Sequence, residues 1–349
     1  MIKSTRTPYL PDLADVRHLI HLPDMSHPQK PFCGILNVDK PPGPTSHDVV
    51  AAVRRFSGQR RVGHAGTLDP MATGVLLVCL GRATRVSEYL MASSKTYRAA
   101  IHLGITTKTD DLDGEITGKT SAEVTLREVE TVLERFIGRI SQVPPMYSAI
   151  KRGGKPLYKL ARQGITLQVP PRPVEIHDLR IAKWTPPLLQ VVVRCGPGTY
   201  IRALARDLGQ ALGCGAHLAS LRRTQSGQFA VEQAVSLERL RKAFAAGTEI
   251  EFLYPPDVAL SHLPALHLDT ETARRLAMGQ RVKGPGETRW DASTSGSTQA
   301  RAYGPGGQFI AVVSRDEKTG SWQPRKVFVR PEDILLARPP GVSDAGTHE

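Results

Sequence analysis

The stretch that decides the fold is residues 60–81, RRVGHAGTLDPMATGVLLVCLG. Its second half, residues 74–80, is a short apolar run with β-branched residues, which favours a buried strand. Its first half is rich in glycine and contains an Asp-Pro pair, which is typical of a sharp loop. Pro70 disfavours helical backbone at Asp69. A carboxylate fixed on such a loop could be a nucleophile or a general base, or it could only cap the turn.

Strands and helices are predicted on both sides of this stretch. The expected strands are residues 32–38, 74–80, 97–103 and 189–195. After the turn PPGPTS, either Thr45 or Ser46 is placed to cap a helix. Thr125 and Glu128 form a capping box ahead of a second helix. Thr199 is expected to cap a third helix. This mixture predicts an α+β fold.

The length of 349 residues predicts two domains. Residues 1–30 are polar and are predicted to be an N-terminal extension, and residues 31–258 form the main domain. The run YPPDVALSHLPAL marks a boundary because it is rich in proline. Residues 262–335 are expected to form a small, mostly β domain, although we assign no function to the Gly/Ser/Thr-rich loop at 291–299. Residues 336–349 are predicted to be a disordered tail.

The chain carries 46 Lys and Arg against 33 Asp and Glu, a net charge of +13. Such an excess favours a polyanionic partner, because each phosphate neutralised releases counterions. The most basic stretch lies within an arm at about residues 145–173. Its basic residues are Lys151, Arg152, Lys155, Lys159, Arg162 and Arg172. They could form a solvated face or an arm that grips phosphates, and Gly153 and Gly154 would let such an arm swing.

Several classes of protein are disfavoured by the sequence. No apolar run reaches the roughly 18 residues of a membrane span, and the N-terminus lacks the apolar core of a signal peptide. We therefore expect a soluble, cytoplasmic protein. The run TDDLDGE at residues 109–115 resembles half of a calcium loop, but Thr120 stands where that loop needs Glu, so a turn without metal is predicted.

Five consecutive segments carry a family resemblance. They are GILNVDKPPGPTSHDVV (34–50), GHAGTLDPMATGVL (63–76), SSKTYRAAIHLGITTKTDDLDGE (93–115), QVPPMYSAIKRGGKPLYKLARQGI (142–165) and GPGTYIRALARDLGQALGCGAHLASLRRTQSG (196–227). Together they closely resemble the TruB family of tRNA pseudouridine-55 synthases, over about residues 32–235. The resemblance implies a mixed, largely antiparallel sheet flanked by helices, with RNA in a basic cleft. RRLAMGQRV and KVFV give the C-terminal domain a looser resemblance to the PUA module of RNA-modifying enzymes.

The resemblance also assigns roles to three residues. Asp69 matches the catalytic aspartate of the family, which attacks the nucleoside. Tyr97 matches the tyrosine that stacks on the flipped uracil and is proposed to take a proton. Arg202 matches the arginine that pairs with the catalytic carboxylate.

Three further positions match the lining of the uridine pocket. His64 matches the histidine that holds the target loop open once the base has left. Tyr200 and Leu221 match further lining positions.

The chemistry implied by the family fits these residues. The uracil leaves the sugar, rotates and rejoins through C5, so atoms are conserved and no redox cofactor, nucleotide or metal is required. Flipping the base costs a few kcal/mol, and stacking on Tyr97 returns about 1–3 kcal/mol. A nearby arginine favours the ionised form of Asp69, which burial alone would disfavour.

The implied partner is the T-arm of tRNA, bound by a monomer that needs no guide RNA. The alternative within the family is a guide-RNA-dependent enzyme acting on ribosomal RNA, but the stretch 145–172 is typical of the stand-alone bacterial group. A protein that only binds or folds RNA is the alternative of a different class. Because Asp69, Tyr97 and Arg202 are all intact, it is disfavoured as the sole role, and a tRNA-folding role beside catalysis stays open.

Overall fold

The computed structural model of this chain describes residues 32–148, 150–165, 167–283 and 298–334. The chain forms two compact units, divided between Leu253 and Tyr254. Each unit has its own cluster of buried apolar side chains. The predicted extension at 1–30, the tail at 336–349 and residues 291–297 of the Gly/Ser/Thr-rich loop lie outside the described residues.

A mixed β-sheet is the centre of the first unit. Its strands, together with short strands beside it, are β1 (Gly34–Lys40), β2 (Val62–His64), β3 (Thr73–Leu80), β4 (Lys95–Leu103), β5 (Ile105–Thr107), β6 (Ile116–Lys119), β7 (Gly138–Gln142), β8 (Lys151–Arg152), β9 (Lys155–Pro156), β10 (Arg172–Thr185), β11 (Leu188–Cys195), β12 (Ala216–Ser226), β13 (Phe229–Ala230), β14 (Val235–Ser236) and β15 (Leu253–Tyr254). The main path through the sheet is β14-β1-β3-β12-β4-β11-β10-β7.

The strand directions confirm the predicted fold class. Along this path β14 is parallel to β1 and β3 is parallel to β12. The other neighbours are antiparallel. The result is a mixed, largely antiparallel sheet.

The two faces of the sheet differ in character. In β4 the side chains of Tyr97, Ala99, Ile101 and Leu103 are buried, whereas Arg98 between them is exposed. This alternation follows from the period of two along a strand. The face that carries Tyr97 is here called the core face, and the face that carries Arg98 is called the back face. Strand β3 is buried along nearly its whole length, as its apolar run predicts.

The helices of the first unit begin at well-defined caps. They are α1 (Ser46–Ser57), α2 (Ser87–Ala92), α3 (Leu126–Glu134), α4 (Leu157–Arg162), α5 (Ile201–Ala211) and α6 (Leu237–Ala246). Thr45 is the N-cap of α1 and forms a capping box with Asp48. The predicted box of Thr125 and Glu128 is confirmed at α3.

The predicted cap of α5 is wrong. Tyr200, not Thr199, is the N-cap, and no side chain caps the helix. The Thr199 hydroxyl donates to the Gly196 carbonyl instead, at 3.1 Å, because Thr199 belongs to the preceding turn. Gln142, from β7, fixes the start of the helix: its amide accepts from the Tyr200 N–H at 2.8 Å and donates to the Tyr200 carbonyl at 3.0 Å.

The second unit is a small sheet with one α-helix, α7 (Thr270–Ala277). Its strands are β16 (Ala265–His267), β17 (Val282–Lys283), β18 (Gln299–Tyr303), β19 (Phe309–Arg315) and β20 (Ser321–Val327), in the order β16-β18-β19-β20-β17. The last strand begins earlier than the run 326–329 suggested, because buried Trp322 pairs with Arg315 and Val282. In the described part of the chain, no helix has the length and apolar character needed to cross a membrane.

Candidate active site

The loop between β2 and β3 carries Asp69, and a buried lysine holds its second half. Lys40, the last residue of β1, is fully buried. Its ammonium donates to the carbonyls of Pro41, Pro70 and Ala72 at 2.9, 3.0 and 2.7 Å. Burial lowers the pKa of Lys40 to about 8, and the Asp69 carboxylate opposes this shift. The sequence analysis missed Lys40, whose only signal is its place at the end of a buried strand.

A second buried cation, Arg223 of β12, holds the first half of the loop. Its guanidinium donates to the carbonyls of Gly66 and Thr67 at 3.0 and 3.4 Å, and to Val75 of β3 at 2.6 Å. The backbones of β3 and β12 meet closely at this point. A Cβ on Gly74 would lie 2.2 Å from the Arg223 carbonyl oxygen, and Gly74 has φ of +96°. Only glycine satisfies both conditions without strain.

Asp69 and Arg202 form the ion pair that the family resemblance implied. The Nη2 group of Arg202 donates to Oδ1 of Asp69 at 3.1 Å, and Nε lies 2.9 Å from Oδ2. The Nε–H does not point at Oδ2, so this second contact is an ion pair without a hydrogen bond. The side chain of Arg202 is 5% exposed and that of Asp69 is 31% exposed. Part of the carboxylate is therefore open to a reactant while its partner is enclosed.

Arg202 is held by three other groups from distant parts of the chain. Its Nη1 donates to the Thr109 carbonyl at 3.1 Å and its Nη2 to the Tyr147 carbonyl at 2.8 Å. The Oδ2 atom of Asp111 lies 3.4 Å from Nη1. Asp111 is buried and accepts a hydrogen bond from the Thr109 hydroxyl. The guanidinium is therefore fixed before any substrate arrives.

The acidic turn at 109–115 thus positions an arginine. The sequence analysis predicted a turn but missed the role of Asp111, for which the dense acidic run was the available signal. The neighbouring carboxylate, Asp110, pairs with Arg206 at 3.1 Å. Both aspartates are thus engaged by arginines. Among the described residues, no three His, Cys, Asp or Glu side chains gather in a way that would hold a metal ion.

The protonation of Asp69 depends on opposing influences. Burial raises its pKa, and the charge of Asp111 adds to this effect. Arg202 lowers the pKa, as does Lys40 more weakly, but the net shift is upward. The arginine therefore offsets only part of the cost of holding an anion at this position.

Tyr97 lies on the core face of β4, between Arg223 and Val193 in the strand register. Burial raises the pKa of its phenol; Arg223 opposes the shift and the charge of Asp69 adds to it. The hydroxyl is therefore neutral near pH 7. Only 8% of the residue is exposed. A base that stacks on this ring must displace the side chains that cover it.

The structure places the predicted lining residues around these groups. Burial raises the pKa of Tyr200, while its contact with Ser148 lowers it and the charge of Asp69 raises it further. Leu221, on β12, is buried, and its carbonyl accepts from the Thr73 hydroxyl at 3.5 Å. Tyr200 is thus close enough to Asp69 to sense its charge, and Leu221 lies beside the start of β3.

His64 ends β2 and meets a second histidine that the sequence analysis did not single out. Its ring lies edge-on to that of His47 on α1, with centroids 5.2 Å apart. Within the described residues the buried Nδ1 atom of His64 has no hydrogen-bond partner. Burial lowers the pKa of His64 to about 4, and His47 and Arg223 act in the same direction. His64 is therefore neutral at pH 7.

The basic arm forms a hairpin followed by a short helix. Lys151 and Arg152 lie on β8, Lys155 on β9, and Lys159 and Arg162 on α4. The turn between the strands uses positive φ at both Gly153 and Gly154, at 58° and 80°. Leu157, at the start of α4, is almost fully buried and anchors the helix. The proposed contacts of these cations with RNA stay predictions.

Two family models match the chain. Residues 54–201 match the model described as TruB family pseudouridylate synthase (N terminal domain). Residues 202–261 match the model of the tRNA pseudouridylate synthase B C-terminal domain. The first match includes Asp69, Tyr97 and Tyr200, and the second begins at Arg202.

Several curated proteins resemble the chain over most of its length. A protein of Gloeobacter violaceus named tRNA pseudouridine synthase B is 51% identical over 304 residues, covering 84% of this chain and 98% of the relative. The protein of the same name from Dehalococcoides mccartyi strain 195 is 44% identical, covering 85% and 97%. The protein of that name from Haemophilus influenzae is 40% identical, covering 84% and 94%.

Solved structures with the same architecture include a Cbf5-Nop10-Gar1 complex, with a TM-score of 0.67 and 26% identity. The match covers 90% of this chain and 97% of that chain. The archaeal box H/ACA sRNP Nop10-Cbf5 complex matches with a TM-score of 0.65 and 28% identity, covering 86% and 87%.

Proposed function

This chain belongs to the TruB family of pseudouridylate synthases, and from that membership we propose that its substrate is the uridine at position 55 in the TΨC loop of tRNA. The relatives named tRNA pseudouridine synthase B are 40–51% identical to it over most of their length. The protein is accordingly a tRNA pseudouridine synthase, an enzyme that isomerises uridine to pseudouridine.

The ion pair of Asp69 and Arg202 is the observation that carries the proposed mechanism. In the reaction the bond from C1′ to N1 breaks and a bond from C1′ to C5 forms, while C5 loses a proton and N1 gains one. Asp69 acts on the nucleoside as the nucleophile, from the exposed part of its carboxylate. Arg202 holds the opposite part, so that the carboxylate is oriented before the base arrives.

The target uridine must leave its stack to reach Asp69, because the reacting atoms are covered in folded RNA. Tyr97 stacks on the everted uracil and, in the later proton transfer, accepts the proton from C5. His64 stays neutral and occupies the space that the base has left, which suits a position where a charged imidazolium would be costly. Tyr200 and Leu221 complete the wall of the pocket.

The basic arm is proposed to hold the T-arm by its phosphates and its shape, as structured RNA generally requires. The second unit, with its own small β-sheet, is proposed to be a PUA-like domain that adds contacts with RNA. No guide RNA is needed in this proposal. The support is the difference in identity: 40–51% to the tRNA enzymes, against 26–28% to the Cbf5 complexes. We further propose that the enzyme acts as a monomer in the cytoplasm.

The test uses tRNA transcript with tritium at C5 of its uridines, incubated without guide RNA. We expect the wild type to release tritium and Asp69→Asn to release none, because the amide is neither an anion nor a nucleophile. Asp113→Asn is the matched control. It removes the same charge from an exposed position of the nearby turn and is expected to stay active.

Mapping the pseudouridine in the product then locates the target. Equal release by wild type and Asp69→Asn would refute the nucleophile. Release without modification at position 55 would refute the proposed target, and release that requires added guide RNA would favour the guide-dependent alternative.

A further inference from the structure

The back face of the central sheet carries a row of arginines that the proposed mechanism does not use. Arg180 of β10 is opposite Val192 of β11 in the register, and Val192 is opposite Arg98 of β4. Arg98 is in turn opposite Arg222 of β12. Directly opposed residues project to the same face, with Cβ atoms about 4.5–5.5 Å apart. Three guanidinium groups therefore share one line, on the face turned away from Tyr97.

These arginines line a recess of about 620 Å³. Thr224 and Gln225 give it polar walls, and Glu232 is the one carboxylate among its described lining residues. Sites for small ligands have volumes of about 300–1,000 Å³. The recess is thus large enough for a nucleotide unit of an RNA strand, and its charged lining is three cations to one anion.

The three arginines differ in how their charge is compensated. Arg222 pairs with both carboxylate oxygens of Asp39, at 3.2 and 2.9 Å. Arg180 pairs with Asp178 at 2.7 Å. Arg98 is exposed and, over the described residues, forms neither an ion pair nor a hydrogen bond. Like charges directly opposite in a sheet repel, so Arg98 beside Arg222 favours the entry of an anion.

We propose that this recess, here named the Arg98 recess, binds phosphate groups of an RNA strand on the face opposite the catalytic site. The planar fork of a guanidinium matches two phosphate oxygens, and a phosphate at Arg98 would compensate its charge. The choice of RNA as occupant rests on the proposed function. A free phosphate compound offers the same chemistry, and the experiment separates the two.

The experiment measures the affinity of the full chain for a short, labelled oligocytidylate over a series of KCl concentrations. This RNA contains no uridine, so it is not a substrate. We expect Arg98→Gln to bind more weakly and to lose about 0.7 from the slope of log affinity against log salt, the value for one phosphate contact on a single strand. Arg98→Lys keeps the charge and is expected to keep most of the slope.

Arg127→Gln is the matched control, since it removes one exposed arginine from α3 and is expected to leave the slope unchanged. Equal slopes for wild type and Arg98→Gln would overturn the proposal, as would the same loss in Arg127→Gln. A rise in Tm with inorganic pyrophosphate that depends on Arg98, without a change in the oligocytidylate slope, would overturn RNA as the occupant. Tritium release from tRNA by the wild type is measured separately, so a failure of the proposed function is distinguishable.

Discussion

At the scale of single residues, the site is a carboxylate surrounded by buried cations. Arg202 contacts Asp69 directly, while Lys40 and Arg223 donate to the backbone on its two sides. Their hydrogen bonds go to carbonyl groups, so the two supporting cations fix the loop without forming an ion pair with Asp69. The carboxylate thus sits in a positive field, and its own burial works against that field.

The first prediction concerns the pH dependence of Arg202→Gln. The active form of Asp69 is the anion, so activity rises as pH increases through its pKa. Arg202 lowers that pKa. Its loss is therefore expected to move the acidic limb of the pH–rate profile to higher pH and to reduce kcat by about 100-fold, the order expected for a misplaced reacting group. Single-turnover tritium release across a pH series measures both effects.

Arg241→Gln is the control for charge, because it removes an arginine from an exposed pair with Glu238 on α6. Its profile is expected to match the wild type. An acidic limb that stays in place in Arg202→Gln would mean that Asp69 does not govern the reaction rate in this pH range.

How much of the site was visible in the sequence differs from residue to residue. The Asp-Pro pair in a glycine-rich loop marked Asp69 without any structure, although it did not separate catalysis from turn capping. Arg202 was assigned only through the family resemblance. Lys40, Asp111 and Arg223 escaped notice because their partners lie 30 to 157 residues away along the chain, except for contacts within a turn. Local patterns carry no information about such pairs.

At the scale of elements, the contact between β3 and β12 is the critical junction. Arg222 and Arg223 pair in parallel with Thr73 and Gly74, immediately after the catalytic loop. The apolar run predicted β3 well, because a strand buried on both faces leaves a clear signal. Its parallel neighbour was not predictable, since the two strands are about 150 residues apart and nothing local specifies the pairing.

The second prediction tests this junction with Gly74→Ala. The new methyl group would meet the Arg223 carbonyl at 2.2 Å, on a backbone with φ of +96°. Gly138→Ala is the matched control: Gly138 has φ of +91° and no atom within 4 Å of its Cβ position. We expect the control to lose about 1–3 kcal/mol of unfolding free energy from backbone strain alone, and Gly74→Ala to lose about 1–3 kcal/mol more from the clash.

Urea denaturation of both variants gives these free energies. Equal losses would show that the strands move apart without cost. Because Arg223 also holds Gly66 and Thr67, Gly74→Ala is expected to reduce tritium release more than its loss of stability explains.

At the scale of the whole molecule, the excess of positive charge is divided among separate regions. The basic arm lies between β7 and β10, and the Arg98 recess lies on the back face of the sheet. The sequence predicted the arm because its cations are consecutive along the chain. It did not predict the recess, whose arginines come from three strands and become neighbours only through the register.

The third prediction concerns the salt dependence of tRNA binding. Replacing Lys151, Arg152 and Lys155 by Gln is expected to weaken binding and to reduce the salt slope by up to about 3, roughly one for each phosphate that is no longer neutralised. Lys119, Arg127 and Arg135 replaced together remove the same charge from exposed positions elsewhere. We expect that control to keep the wild-type slope, and an unchanged slope in the arm variant would exclude the arm from the contact surface.

The way in which Arg202 is bound has a consequence for biosynthesis. Its partners lie 133, 93 and 55 residues earlier in the chain. Contacts of such sequence separation form late in folding, because long loops must close first. A nascent polypeptide that still lacks helix α5 has no means of aligning its carboxylate. The enzyme therefore gains the ability to modify a transcript only after its tertiary structure is complete, which protects cellular RNA from half-made copies.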